Sequence, residues 1–194
     1  MTDFIKGVPI TTPVGVFKFP ILQKPSDKFT PGKPKYECKI TFAPDECKDF
    51  VKQLEGLWNE NLKFQAALAG GKKLKVSTKP WRDEKDKDGN PTGRTEVSAK
   101  TNAQYQDKSG ATINKRIKLF EADGKPFERA DWISSGTKGR LQFMACGYNS
   151  PALGAGLTFR LNAAQIIDLV AGGGGTAETY GFSVAETPKE ETPF

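Results

Sequence analysis

Histidine is absent from the sequence. That absence removes Ser-His-Asp and Cys-His nucleophilic machinery, histidine metal sites and imidazole acid–base chemistry. Cysteine is scarce: Cys38, Cys47 and Cys146 stand far apart, with no Cys-x-x-Cys pair. Three such thiols cannot complete a four-ligand zinc site without help, and an odd count argues against a disulfide framework. No apolar run is long enough to cross a bilayer, and Met1-Thr-Asp-Phe-Ile-Lys-Gly7 lacks a signal-peptide h-region. No Gly-x-x-x-x-Gly-Lys-Ser/Thr loop is there to cradle nucleotide phosphates. These absences lead us to expect a soluble, intracellular, reduced protein that is not an enzyme and uses neither cofactor nor metal.

What is present is positive charge, unevenly spread. The 194 residues carry 29 Lys+Arg against 23 Asp+Glu, a net +6. Residues 172–194 hold Glu178, Glu186, Glu190 and Glu191 against Lys189, leaving −3 on the tail and +9 on residues 1–171. Lys72 to Arg140 alone contains 17 cations and 10 acids. A basic middle with an acidic end suggests a polyanionic partner and an interaction tail, although lysine-rich surfaces also serve solubility alone. Four glycines, Gly172 to Gly175, mark the boundary, and the stretch beyond has too few apolar residues for a core. The expected organisation is a folded domain over 1–171 and a flexible acidic tail over 172–194.

Apolar residues recur with the two-residue period of half-buried strands. Tyr36, Cys38, Ile40 and Phe42 share a face; so do Val97, Ala99 and Thr101, then Leu141, Phe143 and Ala145, then Leu157, Phe159 and Leu161. The same period predicts strands over Val14–Phe19, over Lys73–Lys79 with Leu74 and Val76 on one face, and from Ile113 to Phe120. Residues 44–69 read as a long helix instead. Pro44, Asp45 and Glu46 suit its first turn, and Cys47, Phe50, Val51, Leu54, Leu57 and Trp58 form an apolar stripe before Gly70-Gly71. A short C-terminal helix is expected over Ala163–Val170. Helices do not alternate with strands, so a doubly wound fold is out. The order fits a mainly β, OB-fold-like Greek-key barrel, which other small barrels also resemble at this level.

On the outward positions cations interleave with planar rings. Lys73, Lys75 and Lys79 lead to Trp81-Arg82; Lys100 precedes Tyr105; Arg116 and Lys118 precede Phe120; Trp132 precedes Lys138 and Arg140; Tyr148 follows. Single-stranded nucleic acid calls for this mixture, because cations meet phosphates and flat rings stack on bases at roughly 1–3 kcal/mol each. Against that stands the ordinary use of large rings as core and of lysines as solvated surface. The candidate DNA-binding set is Lys73, Lys75, Lys79, Trp81, Arg82, Lys100, Tyr105, Arg116, Lys118, Phe120, Arg140 and Tyr148. The acid-rich loop Asp83 to Arg94 imitates part of an EF-hand, but Thr95 replaces the bidentate Glu and no helices flank it. It reads as a charged hairpin turning at Asp88-Gly89-Asn90-Pro91, and it offers no rigid platform for a two-metal nuclease site.

Lys138-Gly-Arg-Leu-Gln-Phe-Met-Ala-Cys-Gly-Tyr-Asn149, followed by Gly154-Ala-Gly-Leu-Thr-Phe-Arg-Leu-Asn-Ala-Ala-Gln-Ile-Ile-Asp-Leu169, resembles the bacteriophage single-stranded DNA-binding proteins of the Enc34 type. The resemblance extends to the charged loop near Trp81, the basic β-rich body and the acidic tail. The tail departs from the usual pattern in having few acids and in including Lys189. The resemblance implies an OB fold, sequence-tolerant binding of single-stranded DNA in phage replication, recombination or repair, and a place in the bacterial host cytoplasm. Self-association is compatible with it. The tail residues Glu186, Glu190, Glu191 and Phe194 are the expected contacts for replication proteins, with the tail also competing weakly for the basic face. The alternatives are a virion or interaction protein with a basic surface, and a metal-dependent nuclease or annealase.

Overall fold

The computed structural model describes residues 7–28 and 30–172. The strands are β1 (Val8–Thr11), β2 (Gly15–Ser26), β3 (Lys35–Phe42), β4 (Trp81–Lys85), β5 (Pro91–Asn102), β6 (Gln104–Gln106), β7 (Thr112–Asn114), β8 (Lys118–Phe120), β9 (Trp132–Ile133), β10 (Lys138–Ser150), β11 (Gly154–Asp168) and β12 (Ala171–Gly172). The one helix among the described residues, α1 (Pro44–Leu68), separates β3 from β4. The tail residues Glu186, Glu190, Glu191 and Phe194 lie outside the described residues.

Five long strands carry the architecture. β2 pairs with β3, β3 with β5, β5 with β11, β11 with β10, and β10 returns to β2. In chain order that path reads first, second, third, fifth, fourth, the Greek-key order of an OB-fold barrel. Two seams are thin. β5 meets β11 only at Lys100↔Arg160, and β10 meets β2 only at Lys138↔Val16 and Gly139↔Gly15. The sheet therefore curls on itself as a partly open barrel. The Gly139–Gly15 pair of the second seam has a physical reason. A Cβ on Gly139 would lie 2.3 Å from the Gln165 carbonyl oxygen, and one on Gly15 would lie 2.6 Å from the Phe42 ring.

The alternating stretches supply the core as their period requires. Tyr36, Cys38, Ile40, Phe42, Val97, Ala99, Leu141, Phe143, Ala145, Leu157, Phe159 and Leu161 are all buried. Phe143 and Phe159 stack at 4.3 Å between ring centroids. α1 begins with Pro44 and with Glu46 accepting a hydrogen bond from the Ala43 N–H at 3.0 Å. It buries Cys47, Phe50, Leu54 and Trp58. Further along the same face, buried Asn61 donates to the Gly156 carbonyl at 2.9 Å, and Gln65 accepts from Asn149 at 3.3 Å. These polar contacts tie the helix to the end of β10 and to the glycine-rich start of β11.

Three expectations are corrected. Residues 163–168 continue β11 instead of forming a helix, because Ala163, Ala164 and Gln165 pair with β10 on one side and β8 on the other. Two flanking strands satisfy backbone groups that a helix would satisfy internally, so tertiary pairing overrides local propensity. Residues 73–79 are not a strand; they cross the end of the barrel through the lone bridge Val76↔Ala155, and Val76 is 49% exposed. The stretch from Ile113 to Phe120 is broken into β7 and β8, with Ile117 buried between them. The hairpin over 83–94 is as expected. Asp86 accepts from the backbone N–H of Asp88 and Asn90, and Gly89 takes a positive φ of 86°.

Candidate nucleic-acid interface

The outward face of β5 and β11 forms the floor of an open groove. At one end stand Lys75, Lys79, Ser98 and Tyr148; at the other stand Lys35, Tyr105, Lys115 and Arg160; Lys100 and Thr158 belong to both. The lining of these two parts holds six cations and no carboxylate. Lys100 and Arg160 are register partners across the thin β5–β11 seam, which sets two like charges side by side. Burial pulls the Lys115 amine below the ordinary lysine range, and the nearby charge of Arg160 adds to the effect. Lys115 is a strut as well as a charge, since its Nζ donates to Asn162 Oδ1 at 3.0 Å and to the Leu161 carbonyl at 3.2 Å. Cations along a groove whose lining holds no carboxylate form a focused positive field that an anionic chain relieves.

Residues 73–79 bring their lysines to this groove by being strapped to β11. Ala155 N–H donates to the Lys75 carbonyl at 2.8 Å, and Ser77 N–H donates to the Ala155 carbonyl at 2.9 Å. Tyr148 Oη donates to Ser77 Oγ at 2.8 Å, so its ring packs at the groove wall, half-buried. The strap needs Gly154, which has a φ of +89° and where a Cβ would sit 2.5 Å from the Lys75 carbonyl oxygen. Lys79 is paired with Glu55 at 2.5 Å, and Lys75 Nζ donates to the Ala152 carbonyl. Tyr105, on β6, is 54% exposed and presents its ring openly at the groove.

The candidate residues therefore separate. Lys75, Lys79, Lys100, Tyr105 and Tyr148 come together. Phe120 and Arg140 line a different, mainly apolar cleft with Thr11 and Ala164. Lys73, Arg116 and Lys118 are exposed and line neither. Trp81 is corrected outright: only 6% exposed, it stacks on Phe159 at 5.9 Å and meets Trp58 edge-on at 5.8 Å. It fills the space between α1 and the sheet, so its ring faces have no room for a base. Sequence reading missed Lys35, Lys115 and Arg160. Arg160 is legible as an outward position between Phe159 and Leu161, whereas Lys115 is hidden when residues 113–120 are read as one unbroken strand.

Arg82 belongs to a separate cluster. Glu84 and Glu96, both buried, are met by Lys18, Lys39, Arg82 and Arg94 at 2.7–3.7 Å. Burial pushes both carboxyls up. It is outweighed at Glu96 by the Arg82 hydrogen bond and the Lys39 charge, and at Glu84 by hydrogen bonds from Lys18 and Thr92, so both end below the usual 4.5. Depressed carboxyls stabilise the fold above their unfolded pKa, and that stabilisation is lost as pH falls through the folded value. Thermal stability is expected to be insensitive to the titration of these groups near neutrality and to fall below about pH 4.5. Glu96→Gln should lower the neutral-pH Tm and flatten the acid limb. An unchanged acid limb would count against this cluster as its source. Among the described residues no group of three or more His, Cys, Asp or Glu is placed to hold a metal ion. No helix among them is long and apolar enough to cross a membrane.

No protein-family model matches the chain, and no curated protein matches it by sequence. Solved structures do. The chain is similar to gp2.5, a single-stranded DNA-binding protein encoded by bacteriophage T7, with a TM-score of 0.70 at 18% identity over 97% of this chain and 99% of that one. It is also similar to the single-stranded DNA-binding protein of bacteriophage Enc34, with a TM-score of 0.58 at 17% identity over 93% of this chain and 96% of that one. The same Enc34 protein in complex with single-stranded DNA gives a TM-score of 0.56 at 16% identity over 87% of this chain and 93% of that one. Pairing order, partly open barrel and these likenesses agree: the chain has the OB-like fold of phage single-stranded DNA-binding proteins.

Proposed function

We propose that this protein binds single-stranded DNA with little sequence preference and coats it, without catalysis, during phage replication, recombination or repair in the cytoplasm of the infected bacterium. The observation that carries the reading is the carboxylate-free groove, with Lys35, Lys75, Lys79, Lys100, Lys115 and Arg160 along it and Tyr105 exposed beside them. Phosphates displace counterions along such a track, so affinity falls as salt rises, by a slope of about 0.7 per phosphate on single strands. A stacked ring accepts any base, which makes the binding tolerant of sequence. The fold shared with phage proteins named for single-stranded DNA binding supports the same conclusion.

Filter binding to poly-dT at two salt concentrations tests it, and absence of binding at low salt overturns it. Tyr105→Ala is expected to reduce affinity roughly 5- to 100-fold, the worth of one base stack, with Tm unchanged because the ring is exposed. Equal affinity for variant and parent would remove Tyr105 from the interface. The acidic tail, with Glu186, Glu190, Glu191 and Phe194, is proposed on sequence alone as a weak competitor for the groove and a contact for replication proteins.

A further inference from the structure

Phe19 lies where packing has no use for it. Alternation along β2 would bury Phe17 and Phe19 together, but only Phe17 is buried; Phe19 is 66% exposed. A register shift against β3 between Lys18 and Ile21 marks a bulge, and Phe19 within it has φ +49°. Among the described residues it is the sole non-glycine with positive φ. A bulky residue there is strained, and Pro20 after it restricts its backbone further. The strain is held in place from outside. Phe19 N–H donates to Ser135 Oγ at 2.9 Å, Gly136 N–H donates to the Phe17 carbonyl at 2.9 Å, and Phe17 N–H donates to the Thr137 carbonyl at 2.8 Å. Glycine would satisfy this backbone without strain, and a polar side chain would suit its exposure better. A bulge that turns an aromatic ring to solvent re-aims that side chain toward a ligand.

Its surroundings indicate which ligand. Lys39 Nζ sits 6.0 Å from the ring centroid. Lys18, Lys39, Arg82 and Arg94 outnumber the two carboxylates they cover, so the patch stays positive. Lys39 pairs in register with Ser98, a residue of the groove, so β2 lies two strand spacings, about 10 Å, from it on the same sheet. Resting on the reading of the protein as a single-strand binder, we infer that Phe19 is a second base-stacking position, extending the DNA track from the Lys100 groove across β3 onto the β2 bulge. The occupant is a nucleobase, its flanking phosphates meeting Lys39 and Arg82.

The test uses the full chain, dT oligonucleotides of increasing length, and the variants Phe19→Gly and Phe19→Tyr. Phe19→Gly removes the ring and the strain together. It should raise Tm while lowering affinity roughly fivefold or more for long oligomers, with little change for the shortest and an unchanged salt slope. Phe19→Tyr should bind as the parent does. Parent-like affinity of Phe19→Gly at every length overturns the inference, as does conversion of a dimer to a monomer by Phe19→Gly with DNA affinity intact. Failure of the parent itself to bind poly-dT overturns the functional reading beneath it, a result distinguishable from the other two.

Discussion

Lys100→Glu should lower the affinity for single-stranded DNA roughly 10- to 100-fold at low salt, the worth of one charge-assisted hydrogen bond to phosphate with repulsion in its place. Lys100 is exposed, lies at the junction of the two halves of the groove, and faces Arg160 across the thin seam. Reversal places a carboxylate in the middle of a track whose lining has none. It also sets Glu opposite Glu37 on β3, a like-charge pair costing about 0.2–1 kcal/mol of stability, so Lys100→Gln is the companion that removes charge without that pair. Lys52→Glu, on an exposed position of α1 outside the groove, changes net charge equally. Net charge alone would make the Lys52 and Lys100 reversals equivalent. The groove requires that Lys100→Glu be far worse and that its salt dependence be shallower by about one phosphate. Equal reductions in the two variants would mean that the protein attracts DNA only as a diffuse cation.

Trp81→Ala should cost roughly 3–5 kcal/mol of folding stability, the range for deleting a large buried ring. In a chain of this size that corresponds to a fall in Tm of about 6–20 °C. The ring sits between Trp58 of α1 and Phe159 of β11, with Lys79 Nζ 5.3 Å from its centroid. Its removal opens a cavity between helix and sheet, and neither neighbour can close it without leaving its own packing. At temperatures where the variant is folded, DNA affinity should be largely retained. The opposite pattern, intact stability with abolished binding, would return Trp81 to the interface. Comparison with Tyr105→Ala makes the contrast direct, since Trp81 is core while Tyr105 stands open to solvent.

That contrast shows where local pattern stops being informative. Trp81 follows lysines and precedes Arg82, so its neighbours in sequence are those of a surface residue. Its burial depends on α1 lying over β5, β10 and β11, which brings Trp58 and Phe159 to its ring from distant parts of the chain. Phe19 fails in the other direction. Its spacing from Phe17 assigns it to the core, and only the bulge, fixed by bonds to residues 135–137, turns it out. Residues 163–168 carry apolar side chains at helical spacing, yet strands on both sides claim their backbone.

Composition and local pattern are enough for the class of the molecule. Missing histidine and scattered cysteines exclude whole chemistries by themselves. Two-residue alternation identifies the inward faces of β3, β5, β10 and β11, and the three-and-four spacing identifies α1, because each depends on backbone geometry within one segment. The basic excess requires only counting. Which cations lie together is settled by folding. Lys35, Lys75, Lys79, Lys100, Lys115 and Arg160 come from five separate stretches and share a groove because β5 and β11 meet in parallel and residues 73–79 are strapped across the barrel end. Arg82 sits closer in sequence to Lys79 than Lys100 does, but it is drawn into the Glu84–Glu96 cluster. A charge's partners are set by distance in space, and sequence separation carries almost none of that distance once strands from opposite ends of a chain are paired.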